Sequence, residues 1–168
     1  MQSRRLLLVR HAKAAQGPVD ADRPLTTRGE RRAVAIGTWL EQTGLVPDLV
    51  LVSPARRAAQ TWELASASLT PGPASAADAR IFENTVEDLL EAIRETPEDV
   101  RTVAVVGHNP SVGELARALD DGQGNPEAGN ALDEGFPTGG VAVFTLTASF
   151  SELEPGGARL EDFAVPGV

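Results

Sequence analysis

Four short runs of apolar or almost entirely apolar residues recur along the chain. Such runs are typical of strands that are buried on both faces, as in a parallel sheet. A fifth segment, 159–165, predicts a strand at the edge of the sheet. The four runs are Leu6–Val9, Leu49–Val52, Val103–Val106 and Val141–Leu146.

A segment with the residue spacing of a helix comes after each of the first three apolar runs. Thr27 and Glu30 have the spacing of a capping box, and apolar or small residues then recur with a helical period until Gly44, which is expected to end the helix. Three more helices are predicted. They start after Ser53-Pro54, at Thr85 and at Pro110, and the last of them reaches Leu119.

Two polar segments, 70–79 and 120–140, are predicted to be loops because Pro, Gly, Ala, Ser, Asn and acidic residues dominate them. Strands that alternate with helices predict an α/β fold of three layers, with a mostly parallel sheet and helices on both faces. No internal repeat and no linker divides the sequence, so residues 1–168 are expected to form a single domain.

The charge and the amino-acid composition argue against several classes of binding partner and of active site. The net charge is -9 and the sequence pI is about 4.7, so nucleic acid and anionic membranes are not expected partners. The absence of cysteine excludes disulfides, thiolate metal sites and cysteine nucleophiles. The apolar run near the N-terminus is too short for a signal peptide or a membrane span, and a cytoplasmic protein is expected.

Histidine and arginine side chains follow three of the predicted strands. Arg10 and His11 come after the first run, Arg56 after the second and His108 after the third. Ligands of an open α/β sheet bind beyond the carboxyl ends of its strands, so these side chains are expected to share one site. Arginine matches phosphate oxygens in pairs, and a neutral imidazole is a competent nucleophile toward phosphorus. The pattern therefore predicts a phosphoryl site, in which a protonated His108 stabilises charge.

Each of these residues also has a simpler interpretation. A histidine after a strand is often structural, and an arginine after Ser-Pro often only solvates a helix start. Two histidines with a carboxylate could also bind a metal ion. Neighbouring arginines repel cations, however, so neither a metal nor another cofactor is predicted.

Four segments carry a family resemblance, and they occur in the family's order. They resemble the Arg-His-Gly signature, the Leu-Thr-x-x-Gly element, the Ser-Pro-x-x-Arg-x-x-Gln-Thr element and the second histidine motif of the histidine phosphatase superfamily, also called phosphoglycerate mutase-like. Ala12 stands in place of the glycine of the signature. The segments are Leu8–Ala12, Pro24–Gly29, Val52–Thr61 and Val106–Pro110.

The resemblance is greatest to the short SixA-like phosphohistidine phosphatases, which lack an inserted lid. It implies a phosphoglycerate mutase-like fold and a phosphate pocket, with His11 as the nucleophile and Asn109 beside the second histidine in contact with substrate. We assign the arginine of the Ser-Pro element to Arg56. The pocket residues so implied are Arg10, His11, Arg56 and His108.

Two further positions have a functional and a structural interpretation. Arg23 lies at the rim and contacts substrate, or it forms a surface salt bridge to Asp20 or Asp22. Glu83 is the acid that protonates the leaving group, or it is a solvated carboxylate before the Thr85 cap. A glycine-specific conformation at residue 12 would be strained by Ala12.

The sequence thus predicts a metal-independent phosphatase that forms a covalent phosphohistidine intermediate and acts on phosphohistidine in a partner protein. One alternative is a phosphatase of a small phosphorylated metabolite. Another is a catalytically weak module that binds phosphoproteins. The oligomeric state is left open.

Overall fold

Six strands form one mixed sheet in the computed structural model, which describes residues 3–82 and 85–168. The strand order is β3-β2-β4-β1-β5-β6. The strands β1, β2, β3 and β4 run parallel, whereas β5 is antiparallel to both β1 and β6. The bounds are β1 (Arg4–Arg10), β2 (Leu49–Val52), β3 (Ala74–Ala77), β4 (Thr102–Gly107), β5 (Val141–Leu146) and β6 (Arg159–Ala164).

Five α-helices cover the two faces of this sheet within the described residues. Helices α1 and α2 pack on one face, and α3, α4 and α5 pack on the other. None of them combines the length and the apolar character needed to cross a membrane in the part of the chain that is described. The bounds are α1 (Thr27–Thr43), α2 (Arg56–Ser66), α3 (Val86–Arg94), α4 (Ser111–Leu119) and α5 (Pro126–Asp133).

The central strand β1 shows why the apolar runs are continuous. Its side chains alternate between the two faces: Leu6 and Leu8 pack with α3, α4 and α5, whereas Leu7 and Val9 pack with α1 and α2. Because both faces are covered, every position of the strand core requires an apolar residue. The predicted three-layer α/β architecture is confirmed, and β6 is the edge strand expected near residue 159.

Three local predictions were wrong. Residues 120–140 contain α5, which Asn125 begins by accepting hydrogen bonds from the N–H groups of Glu127 and Ala128. Residues 70–79 contain the short strand β3, all of whose residues are exposed. The first helix begins one residue earlier than predicted, because Thr26 accepts the capping hydrogen bond from Gly29.

Candidate active site

The carboxyl ends of β1, β2 and β4 meet at one edge of the sheet. Arg10 pairs in register with Gly107, and the N–H of His11 donates to the Gly107 carbonyl over 3.0 Å. The ring centroids of His11 and His108 are consequently 5.1 Å apart. The strand ends therefore bring the two histidines of the sequence together, although they are 97 positions apart along the chain.

His11 is buried and neutral. Its Nδ1 lies 2.7 Å from the carbonyl oxygen of Ala12, and a carbonyl only accepts hydrogen bonds, so Nδ1 carries the ring proton. The lone pair of the neutral ring is then on Nε2. Burial lowers the pKa of His11 to about 4, and the nearby charges of Arg57 and Arg10 lower it as well. The ring is thus in the form that can attack an electrophile.

His108 is held by a buried serine. Its Nε2 lies 2.7 Å from the hydroxyl of Ser53, which directly follows β2. Burial lowers the pKa of His108 to about 3, and the positive charge of Arg57 acts in the same direction. In the free protein the ring is therefore neutral, because too little water reaches it to solvate the charge. The predicted protonation of His108 concerns the site with a phosphoryl group bound, and it stays a prediction.

Arg57, and not Arg56, is the arginine of α2 that faces the histidines. Arg57 is 7% exposed and its charge lowers the pKa of both His11 and His108. Arg56 is exposed, and its guanidinium contacts only the Asp22 carbonyl, at 3.5 Å. Adjacent residues on a helix point about 100° apart, so the two arginines leave α2 in different directions. The motif spacing Ser-Pro-x-x-Arg, counted from Ser53, also gives Arg57.

Arg10 and Asn109 are both joined to the segment before β5. The guanidinium of Arg10 and the side-chain amide of Asn109 donate to the same acceptor, the carbonyl oxygen of Phe136, over 2.9 and 3.1 Å. The side-chain oxygen of Asn109 accepts a hydrogen bond from the N–H of Gly113. One N–H and the oxygen of the Asn109 side chain thus bind backbone groups near Arg10 and at the start of α4. Its predicted contact with substrate stays a prediction.

Buried side-chain nitrogens without hydrogen-bond partners concentrate around the histidines. Among the described residues, five buried polar side-chain atoms lack a partner, and three of them belong to Arg10 (Nε), Arg57 (Nε) and His108 (Nδ1). Buried polar atoms are nearly always paired in folded proteins, so a cluster of exceptions marks a place for a ligand. Two guanidinium groups also make this point strongly positive in a protein of net charge -9.

A carboxylate lies at the mouth of this site. Asp20 is paired with Arg57 at 3.2 Å and with Arg23 at 3.1 Å. Of the two interpretations of Arg23, the salt bridge to Asp20 is therefore present. Asp20, Arg57, His108 and Phe82 line the same cleft of about 190 Å³. From the sequence, Asp20 was expected only as a possible salt-bridge partner of Arg23.

The remaining motif residues hold the loop after β1 in place through hydrogen bonds and close packing. The N–H of Ala12 donates to the hydroxyl of Thr61, and the N–H of Leu25 donates to the side chain of Gln60. A Cβ on Gly29 would lie 2.1 Å from the carbonyl oxygen of Lys13, so only glycine allows α1 to approach this loop. The methyl group of Ala12 is fully buried, and the packing around it includes Leu25.

Two predictions concern general acid and metal chemistry. Glu83 lies outside the described residues, so its role stays a prediction. Within residues 3–82 and 85–168, no three His, Asp or Glu side chains gather into a group that could hold a metal ion.

Residues 6–79 match the model of the histidine phosphatase superfamily (branch 1). An uncharacterised protein of Mycobacterium tuberculosis is 38% identical over 161 residues, which cover 94% of this chain and 99% of the relative. The chain belongs to the histidine phosphatase superfamily. This confirms the family that the four motifs predicted.

Two further comparisons place this histidine phosphatase near the SixA proteins. It is 32% identical to phosphohistidine phosphatase SixA of Escherichia coli over 153 residues, which cover 86% of each chain. The solved structure of a candidate phosphohistidine phosphatase SixA from Nakamurella multipartitia has a TM-score of 0.88 at 30% identity, and covers 100% of this chain and 99% of that one. The predicted resemblance to SixA-like members is confirmed.

Proposed function

We propose that this histidine phosphatase removes phosphoryl groups through a covalent intermediate on His11 and that its substrate is phosphohistidine in a partner protein. The observation that carries the proposal is the cluster of unpartnered side-chain nitrogens on Arg10, Arg57 and His108 around a neutral His11. Such a cluster suits an anion with several oxygens, and a neutral imidazole beside it suits attack on phosphorus.

In the first step, Nε2 of His11 attacks phosphorus and the bond from phosphorus to the leaving group breaks. The guanidinium groups of Arg10 and Arg57 bind the equatorial oxygens, where charge accumulates. Before substrate binds, the ring of His108 is neutral and its Nδ1 has no hydrogen-bond partner. The dianionic phosphoryl group favours protonation of that ring, because an opposite charge nearby raises a histidine pKa.

In the second step, water attacks the phosphoryl group on His11. The new P–O bond replaces the P–Nε2 bond, and both water protons leave with inorganic phosphate or pass to solvent. His11 regains its lone pair on Nε2, and the hydrogen bond from Nδ1 to Ala12 keeps the same tautomer throughout. The two arginines neutralise the charge that a metal ion would otherwise neutralise, so we propose that no metal is needed.

Leaving-group chemistry supports phosphohistidine over phosphate esters. A serine or sugar alkoxide requires a proton from a general acid, whereas an imidazole ring is protonated near pH 6.5 and leaves without that help. The name of the Escherichia coli relative points to the same substrate class.

The test compares turnover of a phosphohistidine peptide, a phosphoserine peptide and a panel of sugar phosphates, with and without a strong chelator. We expect the phosphohistidine peptide to be preferred, the activity to survive chelation and vanadate to inhibit. Brief incubation with labelled substrate should leave an acid-labile label on the wild type and none on His11→Ala, whose turnover should fall by more than about 10³-fold.

Two results would contradict the proposal. Preference for a sugar phosphate would make the protein a metabolite phosphatase, and an unlabelled, inactive wild type that still binds phosphopeptides would make it a binding module. Circular dichroism of His11→Ala controls for loss of the fold.

A further inference from the structure

Asp20 places a negative charge beside a site that binds anions. Its carboxylate contacts Arg57 at 3.2 Å, its backbone carbonyl accepts from the same guanidinium over 2.8 Å, and its side chain is 58% exposed. The hydrogen bond from Arg23 holds the pKa of this carboxyl below its ordinary range, so Asp20 is ionised at neutral pH. A carboxylate there repels the phosphoryl oxygens, and a pocket that served phosphate alone would gain affinity without it.

An aromatic ring lies on the same cleft. The ring of Phe82 meets the ring of His108 edge to face, with the centroids 5.7 Å apart, and both line the cleft with Asp20 and Arg57. A carboxylate accepts hydrogen bonds from a cation, and the face of an aromatic ring attracts one. On one side of the cleft, Arg57 offers a positive charge for the phosphoryl group. On the other side, the carboxylate of Asp20 and the ring of Phe82 offer a place for a cation.

We propose that Asp20 is a specificity-determining residue that receives the protonated imidazole ring of the substrate phosphohistidine. The inference rests on the function proposed above and identifies the group that selects a cationic leaving group. The substrate class is a phosphoramidate whose leaving ring carries a positive charge, as opposed to an ester of an alcohol or a phenol.

The covalent step balances with this arrangement. Phosphorus is bonded to one nitrogen of the substrate ring, and the other ring nitrogen keeps its proton and donates a hydrogen bond to the Asp20 carboxylate. When Nε2 of His11 attacks, the P–Nε2 bond forms and the substrate P–N bond breaks. The electron pair of the broken bond stays on the substrate nitrogen, so the cationic ring leaves as neutral imidazole. No proton has to be supplied to the leaving nitrogen.

Asp20→Asn is the test, and Asp22→Asn is its matched control. Asp22 lies in the same turn, is exposed and carries the same charge. The substrates are a phosphohistidine peptide and p-nitrophenyl phosphate, whose leaving group is an anion that needs no general acid. Binding of tungstate, a tetrahedral oxyanion, is measured by calorimetry and reports on the phosphoryl side alone.

Asp20→Asn should lower kcat/KM for the phosphohistidine peptide by about tenfold or more, because a charge-assisted hydrogen bond is lost. The same variant should keep or raise kcat/KM for p-nitrophenyl phosphate and should bind tungstate more tightly, because a like charge is removed. Asp22→Asn should leave the ratio of the two kcat/KM values unchanged.

Four results would overturn the inference. Equal losses on both substrates with weaker tungstate binding would mean that Asp20 only orients Arg57. Equal gains on both would mean that the carboxylate merely occupies the anion site in the free enzyme. A wild type that hydrolyses p-nitrophenyl phosphate but not the peptide would refute the proposed substrate as well, whereas an unchanged ratio in Asp20→Asn would refute the role of Asp20 alone.

Discussion

The hydroxyl oxygen of Ser53 lies 2.7 Å from Nε2 of His108, and this contact fixes the ring of the second histidine relative to the first. Ser53 is fully buried, and its own N–H donates to the carbonyl of Val106 in the neighbouring strand. The serine of the Ser-Pro element is therefore a positioning residue that joins the end of β2 to the end of β4.

Replacing Ser53 by alanine should lower kcat by about tenfold, which is 1.4 kcal/mol of barrier, and should change KM less. A buried ring nitrogen loses its partner, so the free energy of unfolding should also fall by about 1–3 kcal/mol. Both quantities are measured in a double-mutant cycle with His108→Asn. If the two kinetic losses simply add, Ser53 does not act through His108.

The two adjacent arginines of α2 form a matched pair. Arg57→Ala should lower kcat/KM by roughly 10²- to 10³-fold, the usual effect of removing one preorganised donor from a transition-state site. Arg56→Ala should change it by less than about threefold, because an exposed charge contributes little. Steady-state kinetics on one substrate decides the assignment, and a larger loss for Arg56→Ala would reverse it.

The free energy of unfolding should decrease as the pH is lowered through the range in which the two histidines titrate in the unfolded chain but not in the folded protein. Burial lowers the pKa of His11 to about 4 and that of His108 to about 3, whereas both are near 6.5 in the unfolded chain. The unfolded state thus takes up protons first. The stability that comes from keeping the two buried rings neutral is complete above pH 6.5. It is lost as the pH falls toward the pKa values of the folded protein, and the loss is on the order of 2 kcal/mol for each ring at pH 5.

Denaturant unfolding at pH 7, 6 and 5 measures this loss. The double variant His11→Asn/His108→Asn has no ring to protonate, so its stability should depend less steeply on pH than that of the wild type. Parallel curves for the two proteins would show that the buried rings do not set the acid limit.

A charge in the sheet should unfold the protein. Val106 is fully buried in β4, and Val106→Asp would place an unpaired carboxylate there at a cost of several kcal/mol, a large part of a domain's stability. Val34→Asp makes the same replacement at an exposed position of α1, 46% accessible, and should have little effect. Circular dichroism melting compares them; a cooperative transition for Val106→Asp at the wild-type temperature would contradict the prediction.

The strands and the two histidines could be predicted because each depends on local sequence. A strand covered on both faces must be apolar throughout, and the four apolar runs match β1, β2, β4 and β5. The strand β3 has the sequence Ala-Ser-Ala-Ala and is exposed, so it shows no hydrophobic pattern and depends on its pairing with β2. Helix α5 was missed because glycine, proline and acidic residues surround it, although Asn125 and Pro126 form an ordinary helix start.

The site could be predicted only where a residue follows a strand directly. His11 and His108 do so, and the strand ends determine their positions. Arg57 lies in the first turn of a helix, where an error of one residue turns the side chain away from the site. The role of Asp20 depends on contacts with Arg23 and Arg57, and the contact with Arg57 spans 37 positions of sequence. No local pattern encodes such a contact.

The strand order has a consequence for biosynthesis. The strand β1 pairs only with β4 and β5 in the described sheet, and those strands end at Gly107 and Leu146. A nascent chain that has emerged only as far as residue 79 would hold a central strand without either neighbour, beside a separate β2–β3 pair. We therefore expect β1 to leave the ribosome unpaired, so that the nucleophile histidine is positioned only after most of the polypeptide has been made.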